Sequence, residues 1–303
     1  MLPDTEAIRA KITRLQDLEQ RVQETKLRHV QAAAQSYPKF AEYVLRDQKT
    51  DQPIVMAELH RTWFQHIDEC WSRGLFCAIL APYGSGKSTN LAIGLPLFAL
   101  GNDPSLRIKL VSASDKPALE RVVVVRQYIE ASEELHAVFP NLRPHPMLEW
   151  SKHALYVDRP TRAVDASLEG LSATASAIGG RAELLVLDDV NDMRNTIHFP
   201  RLREQIFQNI TGVFFNRLEP GACVVAIMTR YHEFDLVGKI LRDPVMRQRW
   251  GFLIQRVSDD FSHIECEVIM GTGDDSTREA IDSGKYNRLR KLFALYDGGL
   301  LAA

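Results

Sequence analysis

Two groups of residues in this chain have the types and spacing to handle phosphate. The first is Cys77-Ala-Ile-Leu-Ala-Pro-Tyr-Gly-Ser-Gly-Lys-Ser-Thr89, where a short apolar run breaks into a glycine-bearing turn and then into Lys-Ser-Thr. A turn of this kind presents backbone N–H groups to an anion at the positive end of a following helix. Ala81, Pro82, Tyr83, Gly84, Ser85, Gly86 and Thr89 would form the cradle. Lys87 would reach the β- and γ-phosphate oxygens, and the Ser88 hydroxyl would ligate Mg2+. Ala81 stands where the phosphate-loop pattern has its first glycine, so Gly84 and Gly86 must supply the positive φ angles. The second group is Asp188-Asp189, at the end of the apolar run Leu184-Leu-Val-Leu187. There Asp188 would hold the metal through water, and Asp189 would orient or deprotonate an attacking water.

The surrounding pattern supplies the elements that such groups need. Leu75 to Leu80 reads as a buried strand, and Asn90 to Leu100 is an apolar segment of helix length. Arg107 to Ser114 alternates as a strand, and a helix follows from about Pro117 to Leu135 despite the β-branched run Val122 to Val125, because charged residues flank it at helical spacing. Ala154–Val157 and Ala166–Glu169 read as short strands. Residues 184–187 are apolar without alternation, as in a parallel strand covered on both faces. A helix from Pro200 to about Asn216, an apolar strand Gly221–Met228, a helix Phe234–Leu241 and a last strand Phe252–Val257 complete the pattern. Strand alternating with helix predicts an α/β fold with a doubly wound, mainly parallel sheet. Carboxylates at the C-terminal tip of a strand lie where such sheets bind ligands.

Ahead of this core, residues 5–36 form one amphipathic helical segment with Ile8, Ile12, Leu15, Leu18, Val22, Leu27 and Val30 on it. It serves either as a packed helix or as a partner-binding arm. In the segment Phe40–Trp71, His60 and Arg61 occupy a place from which a polar side chain could read an adenine edge. The expected division is an arm over residues 1–38, a core over 39–258 and a linker-like segment over 259–303.

Composition narrows the class. Over 303 residues, Lys+Arg number 37 against Asp+Glu 39, so no global basic surface advertises nucleic acid. The basic groups Arg201/Arg203, Arg242/Arg247/Arg249 and Arg288/Arg290/Lys291 are local and read first as solvated helix faces. Cys70, Cys77, Cys223 and Cys266 have no zinc or redox spacing and read as free thiols in a reducing compartment. No apolar run is long enough to span a membrane and no signal-peptide core is present, so an intracellular location is expected.

Three stretches in order, Ala81–Thr89, Gly179–Asp189 and Pro220–Asp235, together resemble the ATPase half of viral terminase large subunits, the DNA-packaging motors of tailed phages. The most specific piece is Met228-Thr-Arg-Tyr-His-Glu-Phe-Asp-Leu236, which is similar to that family's coupling motif. The resemblance implies a P-loop NTPase sheet of the RecA-like type, with the Thr-Arg strand tip between the phosphate loop and the acidic strand. It implies ATP and Mg2+ as ligands, with Thr229 sensing the γ-phosphate. Implied partners are double-stranded DNA, a portal protein, a small terminase subunit and further copies in a ring, at work in the host cell cytoplasm.

The chain departs from that family at three places. Tyr83 replaces an arginine that many members carry in the phosphate loop, so the charge-stabilising arginine must come from elsewhere: Arg181 or Arg230 within the chain, or Arg121 or Arg126 across a subunit interface. Asp189 stands where many members have Glu. The RNase H-like nuclease is not expected, because Ser276–Glu279 and Phe293–Gly299 resemble the linker before it, and Asp259, Asp260, Asp274 and Asp275 read as a solvated loop. A helicase-like DNA-dependent ATPase and a slow regulatory ATP-binding module are the competing readings.

Overall fold

A computed structural model describes residues 5–175, 179–258 and 263–272, with side chains from residue 11 onward. Its centre is an eight-stranded sheet in the order β3-β4-β2-β5-β6-β1-β7-β8. The strands are β1 (Phe76–Leu80), β2 (Ile108–Ser112), β3 (Ala154–Leu155), β4 (Leu168–Ser172), β5 (Ala182–Asp188), β6 (Leu218–Met228), β7 (Trp250–Val257) and β8 (Ile264–Met270). The six inner strands pair in parallel, and the two edges, β3 on β4 and β8 on β7, are antiparallel. The fold is therefore the expected α/β, mostly parallel sheet. One strand exceeds the expectation: β7 does not close the sheet, because β8 pairs along its whole length. Three of the seven β8 residues, Glu265, Cys266 and Glu267, are polar or thiol-bearing, and five are exposed, which is why no apolar run announces this edge strand.

Both faces of the sheet are covered, as the continuous apolar strands require. In β1, Cys77 and Ile79 face one layer while Phe76, Ala78 and Leu80 face the other. β5 and β6 divide in the same way, with Leu184 and Val186 against Leu185 and Leu187, and Val225 and Ile227 against Val224 and Ala226. The first layer holds α2 (Tyr37–Val44), α3 (Glu58–Ser72), α4 (Leu95–Asn102), α5 (Asp115–Ala131) and α6 (Glu133–Val138). The second holds α7 (Pro200–Asn209), α8 (Leu236–Arg242) and the short α9 (Pro244–Arg247). The valine run in α5 is helical because Ala118, Val122, Val125 and Ile129 are its buried residues, at three- and four-residue steps. The helix anticipated as far as Leu135 ends at Ala131, and the Ser132 hydroxyl then accepts the Leu135 amide at 3.1 Å to start α6.

The N-terminal helix α1 (Thr5–Gln35) joins this body only at its end, where Ala33 is buried and Val30 packs against the core. Ile12, Leu15, Leu18, Val22 and Leu27 are all about half exposed or more. These five side chains are not packed on the described body of the fold, as a wholly packed helix would have them. No helix of the described residues is long and apolar enough to cross a membrane. Asp259, Asp260, Asp274, Asp275, Ser276–Glu279, Arg288, Arg290, Lys291 and Phe293–Gly299 lie outside the described residues.

Candidate nucleotide-binding site

The parallel strands bring the two predicted groups to one edge. Strand β6 lies between β1 and β5, so the Met228–Thr229 tip stands between the phosphate loop and the paired aspartates. On the far side of β5 is β2, with Ser112 paired to Asp188. All of these tips are C-terminal ends, the edge where open α/β sheets take ligands.

The loop after β1 has the backbone that the sequence demanded. Gly84 and Gly86 take φ of 76° and 79°. Ala81 is not among the residues with positive φ, so the missing first glycine leaves no strain. Beyond the loop, Ser88–Gly94 winds with wide π-type turns that run directly into α4. The Tyr37 hydroxyl ties this unusual turn down by donating to the Asn90 carbonyl at 2.5 Å.

Lys87 is almost fully buried, and its Nζ donates to the loop's own Ala81 and Pro82 carbonyls at 2.9 and 2.8 Å. Burial pushes its pKa down, and the nearby Asp189 and Asp188 oppose that shift. The ammonium is thus held at the throat of the loop by acceptors that an anion can replace. Ser88 donates through Oγ to Asp188 Oδ1 at 2.9 Å. A hydroxyl and a buried carboxylate meeting at this distance are hard oxygen donors, the set that suits Mg2+. Asp188 and Ser88 therefore fit the metal predicted for them.

Asp189 departs from strand geometry immediately after Asp188. Its φ is 44°, in the left-handed region, which only Asp51 shares with it among described non-glycine residues. The turn swings its carboxylate to the β6 tip, where Oδ1 accepts the Thr229 amide at 2.6 Å. Burial raises the Asp189 pKa and Asp188 adds to the rise, while Lys87 and the Thr229 amide pull against it. A strained, part-buried carboxylate beside a phosphate loop is a typical setting for proton transfer.

A cleft of about 820 Å³ opens over the loop and is lined by Gly84 to Asn90, Asp189, His60, Arg121 and the segment between α2 and α3. A second groove, about 400 Å³, lies among Phe76, Phe215 and Trp250 at the opposite, N-terminal end of the strands. Its position sets it apart from the carboxylates, so the phosphate-loop cleft is the candidate site.

The remaining predicted residues divide sharply. His60 reaches the site, but both ring nitrogens are engaged: Nδ1 accepts the Ala57 amide at 3.0 Å, which leaves Nε2–H to donate to the Ser85 carbonyl at 2.9 Å. It braces the phosphate loop rather than offering an edge to a base. Arg61 points elsewhere and pairs with Glu42 at 3.5 Å. Arg230 is locked into the start of α8, its Nε on the buried Asp235 at 2.8 Å and Nη2 on the His232 carbonyl at 3.1 Å. Arg181 sits exposed at the entry to β5, the end of that strand opposite Asp188 and about 20 Å from it at strand rise. Neither within-chain candidate stands over the phosphate loop.

Arg121, expected to be a surface donor to a neighbouring subunit, instead lies in the cleft. Its Nε donates to Asp188 Oδ2 at 3.1 Å, and its side chain is only 22% exposed. Topology explains the misplacement: α5 leaves the tip of β2, and β2 is the neighbour of β5, so the second turn of α5 crosses over Asp188. Helical spacing alone could not show which strand tip it would cross. Arg126 does lie on the surface, paired with Glu130 at 2.9 Å and stacked over Trp150. Of the basic groups, Arg203 is bonded to the Thr196 carbonyl and Arg242 to Glu233, so neither is arranged as an open phosphate track.

No family model matches the chain, and no curated protein matches it. Among solved structures, the crystal structure of the HK97 bacteriophage large terminase is similar over 86% of this chain and 54% of that chain, with 15% identity and a TM-score of 0.48. The chain thus spans about half the length of that protein.

Proposed function

We propose that this chain binds ATP with Mg2+ at the phosphate loop and hydrolyses it, as the motor part of a DNA-packaging terminase. The observation that carries the hydrolytic reading is the convergence of Lys87, Ser88–Asp188 and Asp189–Thr229 on one sheet edge, with the β6 tip between the other two. The packaging assignment rests on the motif run Met228–Leu236 and its resemblance to the coupling motif of that family. Double-stranded DNA, a portal, a small subunit and a ring of copies belong to this reading, as does work in the cytoplasm of a host cell.

Each residue has a defined task. The amides of residues 84–89 and the Lys87 ammonium bind the phosphates, with Lys87 exchanging the Ala81 and Pro82 carbonyls for phosphate oxygens. Ser88 and Asp188 hold the metal, whose charge offsets that of the β- and γ-phosphates. Asp189 orients a water toward the terminal phosphorus and accepts its proton as the new P–O bond forms and the bond to the ADP oxygen breaks. The amide of Thr229 fixes that carboxylate, so a change at Asp189 on phosphate loss reaches the β6 tip and α8 directly.

The test is steady-state ATP hydrolysis with and without duplex DNA. Lys87→Ala and Asp188→Ala are each expected to lose turnover by about a thousandfold or more while keeping the wild-type far-UV spectrum. Duplex DNA is expected to stimulate the wild type. Near-normal turnover in either variant would refute this nucleotide site, and strand separation by the protein would favour the helicase-like reading over packaging.

A further inference from the structure

The phosphate loop carries Tyr83 where an arginine would help the reaction, and that side chain is 89% exposed where it lines the cleft. The cleft nevertheless contains a guanidinium. Arg121 uses Nε on Asp188 Oδ2 at 3.1 Å, and among the described residues this is its only hydrogen bond. The other oxygen of Asp188 belongs to Ser88, the predicted metal side, so Arg121 and the metal site occupy different edges of one carboxylate. A guanidinium bound by one N–H keeps further N–H donors in a planar fork, which suits a tetrahedral phosphate. Arg121 lines the same cleft as Lys87 and Asp189. Its charge is also well placed there, since Asp188 is buried, Asp189 beside it is part-buried, and Lys87 is turned to carbonyl oxygens.

We infer that Arg121 is the charge-stabilising arginine of this site, acting within its own chain: anchored on Asp188, it donates its free N–H groups to the terminal phosphate of bound ATP. This rests on the nucleotide-binding reading above and deepens it. Arg121 then stands in for an interface donor and reports the γ-phosphate to the metal-holding carboxylate. On loss of that phosphate the guanidinium would keep its bond to Asp188.

Binding and mixing experiments decide it. Affinities for ADP, ATP and ADP with aluminium fluoride are measured by displacement of a fluorescent ADP, in Mg2+, for wild type, Arg121→Ala, Arg121→Lys and Lys87→Ala. Arg121→Ala is expected to bind ADP within about threefold of wild type, and to bind ATP and the fluoride complex about ten- to a hundredfold more weakly, the weight of a charge-assisted bond. Its turnover should fall about a thousandfold or more. Arg121→Lys keeps the charge without the fork and should recover only part of the preference for ATP. Mixing Arg121→Ala with Lys87→Ala subunits should restore no turnover.

Equal loss of ADP and ATP affinity in Arg121→Ala would show that Arg121 only supports Asp188, and would overturn the inference. Recovered turnover in the mixture would overturn it too, in favour of a donor across an interface. Lys87→Ala tests the nucleotide site independently of Arg121: undiminished binding of both ADP and ATP there would refute the site itself, whatever Arg121 does.

Discussion

Replacing Asp189 by asparagine separates the charge of that carboxylate from the backbone beneath it. The φ of 44° favours Asn and Asp over other side-chain-bearing residues, so Asp189→Asn keeps the turn without new strain. Asp189→Ala puts a plain Cβ in the same left-handed conformation and should cost roughly 1–2 kcal/mol more. At about 2–4 °C per kcal/mol for a chain of this size, alanine should melt about 2–8 °C below asparagine. The bond from the Thr229 amide at 2.6 Å survives in Asp189→Asn, but it changes from charge-assisted to neutral. That gives up about 1 kcal/mol. Against this, asparagine removes a charge whose burial, next to Asp188, is unfavourable. The two effects oppose, so the melting temperature at pH 7.5 should stay within about 4 °C of wild type.

The sign of the pH dependence follows from the direction of the shift. Asp189 has a folded pKa above its unfolded value, so wild type is favoured at acid pH and loses that contribution as pH rises through the folded pKa. The asparagine variant has no such loss. Its melting temperature minus that of wild type should therefore increase as pH rises from about 4, the ordinary carboxyl range. Hydrolysis should fall about a hundred- to ten-thousandfold with ADP affinity retained. Thermal scans from pH 4 to 8, run beside a phosphate-release assay, check all of this. A difference that decreases with rising pH would refute the electrostatic argument, and normal turnover would refute Asp189 as the base.

Two further expectations concern other parts of the molecule. Cys266 is exposed, whereas Cys70, Cys77 and Cys223 are buried, so an aromatic disulfide reagent should titrate one thiol rapidly in the folded protein and the other three only after denaturation. The Cys70 thiol is pulled down to about 6 by its contacts with the Cys77 thiol and with His66, so a second fast equivalent would reveal α3 opening away from β1. On α1, Leu15, Leu18 and Val22 are 59%, 49% and 64% exposed, so changing all three to Glu should move the melting temperature of the monomer by no more than about 2 °C. A drop beyond about 5 °C would mean that this face is buried in solution.

Local sequence was enough for the backbone geometry of the loop after β1. A run of apolar residues, two glycines able to take positive φ, and Lys-Ser at a helix start predict a phosphate loop within one stretch of chain, and Gly84 and Gly86 take the positive φ that the prediction needs, with Ser88 bonded to Asp188. The continuous apolar character of β1, β5 and β6 likewise announced strands covered on both faces, because only a doubly covered parallel strand loses its alternation. The paired aspartates at the end of β5 were legible for the same reason.

Only the tertiary structure decided which arginine meets these groups. Arg121 and Arg126 within a helix and Arg181 and Arg230 at strand ends are alike candidates by charge alone, and the strand order separates them. Because β2 is inserted beside β5, α5 passes over Asp188 and delivers Arg121, while Arg181 is left at the far end of the same strand. Arg230 is next to the site in sequence yet is taken up by Asp235, since a buried carboxylate capping α8 requires a partner. His60 was recognisable as a polar residue at a telling place. That both of its nitrogens would be spent on backbone groups depended on how α3 docks against the loop. Periodicity reports which face of an element is buried, but not which neighbour buries it. Long-range pairing supplies that, and here it decides the electrostatics of the site.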